Sequence, residues 1–229
     1  MSLPPLAPPR QGRPVLAFFD LDETLLTVNS GRLWVRWDRS QGRVGWWEQL
    51  RMLLWLIQYR AGVLNIEGVI ARLSERTRGV HARAMRLEAQ RWYEALVRPT
   101  LSAQAVARVE AHRAAGHTLV MLTGNTQFGA GPVAKELGFE HLLSTELEVE
   151  GGALTGRVVP PICFGDGKVV KARRLADALG AQLDEAWFYT DSFTDLPMLE
   201  VVGQPVAANP DPRLRRVAQT RGWPTLRFS

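Results

Sequence analysis

Four short apolar runs divide the chain and predict the strands of a buried sheet. The first, VLAFF, covers Val15 to Phe19 and lies between Pro14 and Asp20. Its length and unbroken apolar character are typical of a parallel strand that is buried on both faces. Three later runs have the same character: Thr118 to Leu122, Ala186 to Tyr189 and Pro205 to Ala208.

Helical patterns separate these runs. One covers Ser102 to Ala115, with Ser102 as the N-cap and Gly116 as the stop. A second covers Val169 to Leu179 and ends at Gly180. Strands that alternate with helices predict an α/β fold, here a Rossmann-like parallel sheet with right-handed crossovers. The alternation of Leu147 to Val159 around two glycines predicts a β-hairpin.

Residues 27–99 break this rhythm, because they contain helical patterns and no clear strand. The predicted helices are Ser30 to Arg39, Trp46 to Tyr59, Ile66 to Arg78 and Ala82 to Leu96. A helical block between the first two core strands predicts an inserted cap. We therefore expect a flexible, proline-rich lead-in at 1–13, an α/β core at 14–26 plus 100–229, and a helical cap domain at 27–99.

The most apolar part of the cap, Trp46 to Leu64, is interrupted by Glu48, Arg51 and Arg60. A membrane-spanning helix needs roughly 20 mainly apolar residues, and the uninterrupted part here is only Met52 to Ile57. The pattern therefore favours a buried cap helix over a membrane span or a membrane-surface helix.

Composition and charge narrow the classes of partner. With 46% hydrophobic residues among 229, the chain can build a substantial core, which excludes a disordered protein. The net charge of +5 favours anionic partners: phosphorylated metabolites, nucleic acid or a membrane surface. Basic residues are scattered and form no recognisable nucleic-acid module, so no nucleic acid is expected. A single cysteine, Cys163, and no signal-like apolar start predict a cytoplasmic location.

Polar residues that can perform chemistry follow the predicted strands. Asp20 and Asp22 come directly after the first strand, where ligands of α/β sheets bind. Paired carboxylates there can hold Mg²⁺ or divide the roles of nucleophile and acid/base. Other strand ends and helix starts carry further candidates: Thr123, Gly124, Lys168, Asp191 and Asp195.

These residues resemble, in order, the four signature motifs of the haloacid dehalogenase superfamily, and they extend along the whole chain. DLDET (20–24) resembles the first motif, Thr123 the second, Lys168 the third and DSFTD (191–195) the fourth. The long insert before Thr123 is similar to the C1-type helical cap of the subfamily that contains phosphoserine phosphatase. The resemblance implies an enzyme that hydrolyses phosphate monoesters with the help of Mg²⁺.

The resemblance also implies a role for each motif residue. Asp20 would be the nucleophile, and Asp22 would protonate the leaving group and then activate water. The metal set would comprise Asp20, the Asp22 carbonyl, Asp191 and Asp195. The phosphate oxygens would contact Thr24, Thr123, Gly124 and Lys168. An aspartate at position 22 favours phosphatase or phosphomutase chemistry over dehalogenation. The leading interpretation is a phosphatase, and the alternatives are a phosphomutase and a basic nucleic-acid-binding protein.

Two departures from the family pattern concern the substrate. Asn29 stands where phosphoserine phosphatases usually carry a glutamate for the substrate's amino group, and Thr194 replaces a common asparagine. A small phosphorylated metabolite is expected, with phosphoserine and histidinol phosphate as the leading candidates. A cationic substrate would require cap carboxylates, for which Glu48, Glu67 and Glu75 are available, although solvated helix faces are the simpler interpretation. For Arg32, Arg36, Trp34 and Trp37, packing or solvation is favoured over substrate contact.

Overall fold

The structure of the protein is a computed structural model that describes residues 3–9, 12–42 and 66–228, without the side chains of 66 and 67. Seven strands form one sheet in the order β4-β3-β2-β1-β5-β6-β7. All neighbouring pairs are parallel except β3 and β4, which form an antiparallel hairpin. The strands are β1 Leu16–Phe19, β2 Thr118–Thr126, β3 His141–Glu150, β4 Ala153–Val159, β5 Trp187–Thr190, β6 Gln204–Ala208 and β7 Thr225–Leu226.

Helices cover both faces of this sheet. In the described residues they are α1 Ser30–Ser40, α2 Ile66–Glu75, α3 Ala82–Trp92, α4 Ala103–Ala114, α5 Gln127–Glu136, α6 Asp166–Leu179, α7 Leu196–Val201 and α8 Pro212–Arg221. The predicted α/β class is therefore confirmed, as are the hairpin and the four predicted strands. The predicted helix at Trp46 to Tyr59 lies outside the described residues. In the part of the chain that the structure covers, no helix is long and apolar enough to span a membrane.

Strand β1 lies at the centre of the sheet and is buried on both faces, which accounts for its unbroken apolar sequence. Successive side chains of a strand point to opposite faces of the sheet. Ala17 and Phe19 enter one hydrophobic cluster, and Leu16 and Phe18 enter the other. All four side chains are completely buried. The neighbouring strands β2 and β5 divide their residues between the same two clusters, which fixes the register on both sides of β1.

Helices α1 and α3, which belong to the predicted cap, share a hydrophobic cluster with the sheet. Trp34 of α1 packs edge-on against the buried Trp92 of α3, with ring centroids 5.2 Å apart. The indole N–H of Trp37 donates to Glu88 at 3.2 Å. The expectation that Trp34 and Trp37 pack is confirmed, and the side chains of Arg32 and Arg36 are exposed on the same helix.

The predicted lead-in contacts the core over residues 3–9. Leu3 and Leu6 pack against the cluster that contains Phe19. The Ala7 carbonyl lies 2.8 Å from Nε2 of the buried His117. Residues 3–9 thus contact the core, where the sequence analysis expected a loose segment, because Leu3 and Leu6 supply apolar side chains.

A series of buried hydrogen bonds leads from the Ala7–His117 contact into the sheet. Nδ1 of His117 lies 2.8 Å from Nδ1 of His112, whose Nε2 lies 2.8 Å from the Tyr189 hydroxyl. Arg108 donates to that hydroxyl oxygen through Nε at 2.8 Å. Because a carbonyl only accepts, His117 must donate to Ala7. His112 then donates to His117, and Tyr189 donates to His112. One consistent set of donors and acceptors thus satisfies all of these hydrogen bonds.

Candidate active site

The sequence candidates meet at the carboxyl ends of three adjacent strands, β2, β1 and β5. Asp20 directly follows β1, and its N–H donates to the Tyr189 carbonyl of β5 at 2.9 Å. Asp191 directly follows β5. The β2–β3 register breaks between Leu122 and Thr126, so the residues between them leave the regular ladder at the same edge. Such irregularities free backbone groups from strand pairing and are frequent beside active sites.

Lys168 lies at the centre of this group and is itself buried. Its Nζ donates to Asp20 Oδ1 at 3.1 Å and to Asp195 Oδ2 at 2.6 Å. Asp195 also accepts from the buried Thr190 hydroxyl at 2.6 Å. Burial alone would lower the pKa of Lys168, but the charges of Asp195 and Asp20 outweigh burial and raise it. The side chain therefore carries a permanent positive charge.

Asp20 has the opposite balance. Burial, together with the charges of Asp195 and Asp22, outweighs the lowering effect of Lys168 and raises the pKa of Asp20 to about 7. Helix α6, on which Lys168 lies, begins at Asp166. The first backbone N–H groups there already have partners, because Gly167 donates to Phe164 and Lys168 to Gly165. The fixed charge beside Asp20 is the ammonium group of Lys168.

The loop after Asp20 is bent sharply. Leu21 to Leu25 form a single wide turn in which Asp22 and Glu23 have non-helical dihedral angles, and Glu23 has a φ of +52°. The left-handed region is unusual for a residue with a side chain. Asn209 stabilises it, since its amide donates to the Glu23 carbonyl at 2.8 Å and its Oδ1 accepts from the Phe228 N–H.

A family model for haloacid dehalogenase-like hydrolases matches residues 17–200, which include all four candidate motifs. The chain belongs to this family. A probable phosphatase of Mycobacterium tuberculosis is 33% identical over 221 residues, covering 93% of this chain and 75% of that protein. The histidinol-phosphatase of Neisseria meningitidis is 29% identical over 225 residues, covering 93% of this chain and 98% of that enzyme.

Solved structures of this family share the fold. A substrate-bound phosphoserine phosphatase superimposes with a TM-score of 0.69 at 17% identity, covering 94% of each chain. The predicted resemblance to the haloacid dehalogenase superfamily and the prediction of an enzyme are confirmed.

In this haloacid dehalogenase-like hydrolase, the carboxylates fit a hard cation. Asp191 is partly buried and makes no ion pair within the described part of the chain. Burial, then the charge of Asp20, raises the pKa of Asp191 well above its usual range. No three His, Cys, Asp or Glu side chains of the described residues are grouped as a metal site. Mg²⁺ needs only one or two carboxylates and keeps several waters, so Asp20, Asp191 and the Asp22 carbonyl suit it.

The structure gives contacts for three further sequence candidates, Thr24, Asn29 and Glu75. Thr24 is completely buried, and its hydroxyl lies 3.5 Å from Asp191 Oδ1. This hydroxyl faces a carboxylate, and the contact of Thr24 with phosphate stays a prediction. Asn29 caps α1 by accepting from the Arg32 N–H at 3.3 Å. Glu75 pairs with Arg78 on the surface, as the solvated-face interpretation expected, whereas Glu48 and the Glu67 side chain lie outside the described residues.

Sequence reasoning missed several residues that hold the site. Thr190 contacts Asp195, Ser30 contacts Asp22, and Asn125 contacts Ser30. Each is a small polar residue at an element end, where caps and turns also favour such types. Only Thr190 had a usable signal, since it stands directly before Asp191 in a strand that is otherwise apolar. Thr194, noted as a departure, hydrogen-bonds with the Ser192 hydroxyl at 2.8 Å.

Proposed function

We propose that this protein is a phosphatase that hydrolyses a small phosphate monoester through an aspartyl-phosphate on Asp20. The observation that carries the proposal is the buried Asp20 at the end of the central strand, 3.1 Å from the Lys168 ammonium. A carboxylate in that position is a nucleophile beside a fixed cation, and phosphoryl transfer depends on stabilising charge on the phosphate oxygens.

The first half-reaction transfers the phosphoryl group to the enzyme. An Asp20 carboxylate oxygen attacks phosphorus, and the bond from phosphorus to the substrate's ester oxygen breaks. Asp22 gives its proton to the departing oxygen. Burial raises the pKa of Asp22, which favours the protonated form that a general acid requires. Lys168, the Thr123 hydroxyl and the Gly124 N–H are the proposed partners of the phosphate oxygens.

The second half-reaction releases phosphate. Asp22, now ionised, takes a proton from water, and the water oxygen attacks phosphorus. The bond to Asp20 breaks, which restores its carboxylate and yields inorganic phosphate. Thr123 is suited to contact phosphate, because its hydroxyl oxygen accepts from the Asn125 N–H at 3.1 Å and so keeps its own proton for donation.

Mg²⁺ is the proposed cofactor, with Asp20, the Asp22 carbonyl and Asp191 as ligands and Asp195 as a direct or water-mediated ligand. The ion would neutralise phosphate charge and orient the substrate for in-line attack. Asp195 already bonds Lys168 and Thr190, which favours the water-mediated arrangement. Thr24 would then position Asp191.

Phosphoserine and histidinol phosphate remain the leading substrate candidates, supported by the names of the related enzymes. The test is phosphate release from a panel of monoesters that also includes sugar phosphates and nucleotides, with Mg²⁺ and with chelator. We expect turnover that requires Mg²⁺ and favours one small metabolite. No release from any member by the folded protein would contradict the proposal.

Asp20→Asn is the sharpest variant for this mechanism. Asparagine keeps the shape but cannot form the acyl phosphate, so phosphate release should fall at least about 10³-fold. The fold should persist, because the change removes a carboxylate whose charge is disfavoured by burial. Activity within about tenfold of the wild type, at an unchanged thermal midpoint, would refute Asp20 as the nucleophile.

A further inference from the structure

The Asp22 side chain is tied to the start of the cap. The loop that carries Asp22 turns back so that the carboxylate meets the first residue of α1. The Ser30 N–H donates to Asp22 Oδ1 at 2.6 Å, and Ser30 is buried, with 1% of its surface exposed. This contact joins the end of β1 to the cap helix, eight positions further along the chain.

Ser30 is held in turn by the end of β2. The Asn125 amide donates through Nδ2 to Ser30 Oγ at 2.8 Å. An amide nitrogen can only donate, so Ser30 Oγ is the acceptor and its own proton stays available. The bond from Asn125 therefore holds the residue whose backbone N–H donates to the Asp22 carboxylate.

Asn125 has almost no freedom of its own. Its Oδ1 accepts from the Thr126 N–H at 2.6 Å, and its backbone N–H bonds the Thr123 hydroxyl. A methyl group on Gly129 would lie 2.4 Å from Asn125 Oδ1, so only glycine leaves space for this side-chain position. The amide is thus fixed by β2, by the start of α5 and by the absence of a side chain at position 129.

We infer that Ser30 and Asn125 are positioning residues that fix the Asp22 carboxylate for proton transfer to the leaving group. This inference rests on the proposed function. The bonds run from the strand that carries Thr123, through the first residue of the cap, to the acid/base. They tie the orientation of the proton donor to both the phosphate site and the cap.

The experiment compares substrates that differ only in their need for a proton. Substituted phenyl phosphates vary the acidity of the leaving phenol, and 4-nitrophenol departs readily without protonation, whereas phenol does not. The value of kcat/KM reports the steps up to departure of the phenol. For Ser30→Ala, we expect kcat/KM to fall within about threefold with 4-nitrophenyl phosphate and at least about tenfold more with phenyl phosphate.

Three companion variants separate positioning from helix stability. Ser30→Thr retains a hydroxyl and should restore the wild-type ratio between the two substrates. Ser40→Ala removes a hydroxyl that bonds a carbonyl at the far end of the same helix and should leave the ratio unchanged. Adding Asn125→Ala to Ser30→Ala should change the ratio no further, because Asn125 acts through Ser30.

Each outcome is decisive. An equal fall with both substrates in Ser30→Ala, or a ratio no different from that of Ser40→Ala, would overturn the positioning role while leaving the phosphatase proposal intact. If the folded wild-type protein hydrolyses neither phenyl phosphate nor any metabolite on the panel, the proposed function itself is wrong. Retained turnover of 4-nitrophenyl phosphate also shows that the variant has folded.

Discussion

At the scale of single residues, Lys168 is the side chain on which the site's electrostatics depend. Its ammonium is shared between two buried carboxylates, Asp20 and Asp195. Ions removed from water are stable only when paired and hydrogen-bonded. The protein therefore holds the Asp20 carboxylate in its interior beside a fixed cation, which is itself shared with Asp195.

Replacing that cation should affect both stability and catalysis. Lys168→Met leaves two buried carboxylates unpaired, so we expect the free energy of unfolding to fall by about 3 to 5 kcal/mol at pH 8. Loss of the charge beside phosphate should lower kcat/KM by about 10² to 10³. Chemical denaturation and steady-state kinetics measure the two effects.

Lys171 provides the matched control on the same helix. Its Nζ lies 3.0 Å from Glu146, whose side chain is half exposed. Solvent screens such a pair, so Lys171→Met should cost about 1 kcal/mol or less and leave kcat/KM close to the wild-type value. Equal destabilisation by the two substitutions would show that the buried pairs do not stabilise the fold.

At the scale of elements, α5 contains two glycines in different surroundings. Apart from its chain neighbours, a methyl group at Gly131 would meet no atom within 4 Å, whereas one at Gly129 would collide with Asn125. Gly131→Ala gains helix propensity, but it precedes Pro132, whose ring disfavours the helical conformation of a residue that has a Cβ; its free energy of unfolding should therefore stay within about 1 kcal/mol of the wild-type value, with turnover unchanged. Gly129→Ala should slow turnover, because Asn125 must move away from Ser30.

Thermal denaturation and kinetics of the two variants check this expectation. Gly131 does not contact Asn125, so slower turnover in Gly129→Ala but not in Gly131→Ala reports the contact with Asn125. If Gly129→Ala proved as stable and as active as Gly131→Ala, Asn125 would not be confined as described.

The elements also show what the sequence pattern could and could not predict. The apolar runs of β1 and β5 were recognisable because both faces of these strands are buried. Strand β2 was expected to end at Leu122 but extends to Thr126, since its last residues are polar and serve the site. Strand β7 and the first half of β3 gave no signal, because short or half-exposed strands need no apolar run.

The same limit applies to the candidate site. The charged motif residues are recognisable in the sequence because their carboxylates follow apolar strands and Lys168 lies at the start of a helix. Thr190, Ser30 and Asn125 are not visible, because their significance lies in partners that are distant along the chain. The sequence separation of these residues does not reveal their contacts until the order of the strands in the sheet is known.

At the scale of the whole molecule, the buried imidazole of His112 links folding to pH. Burial lowers the pKa of His112 from 6.5 to about 3, and the charges of its neighbours act in the same direction. The unfolded chain therefore binds one more proton than the folded chain between these values. Stability is retained above about pH 6.5 and is lost as the pH falls towards 3.

We expect His112 to make the free energy of unfolding about 2 kcal/mol lower at pH 5 than at pH 7.5. His112→Gln removes the titrating group, so its loss of stability over the same interval should be smaller by about that amount. Urea denaturation of both proteins across this range measures the difference. Identical pH dependence in the two proteins would mean that His112 protonates freely in the folded state.

The contact between Asn209 and the Glu23 carbonyl has a consequence for biosynthesis. These residues are separated by 186 positions, and Asn209 is itself bonded to Phe228. At about 5 to 20 residues per second, the ribosome delivers Asn209 on the order of ten seconds or more after the segment that carries Asp20 and Asp22. A nascent chain can thus contain every motif up to Asp195 while the loop that carries Asp20 still lacks its contact with Asn209. We therefore expect activity to be recovered later than secondary structure when the chain folds.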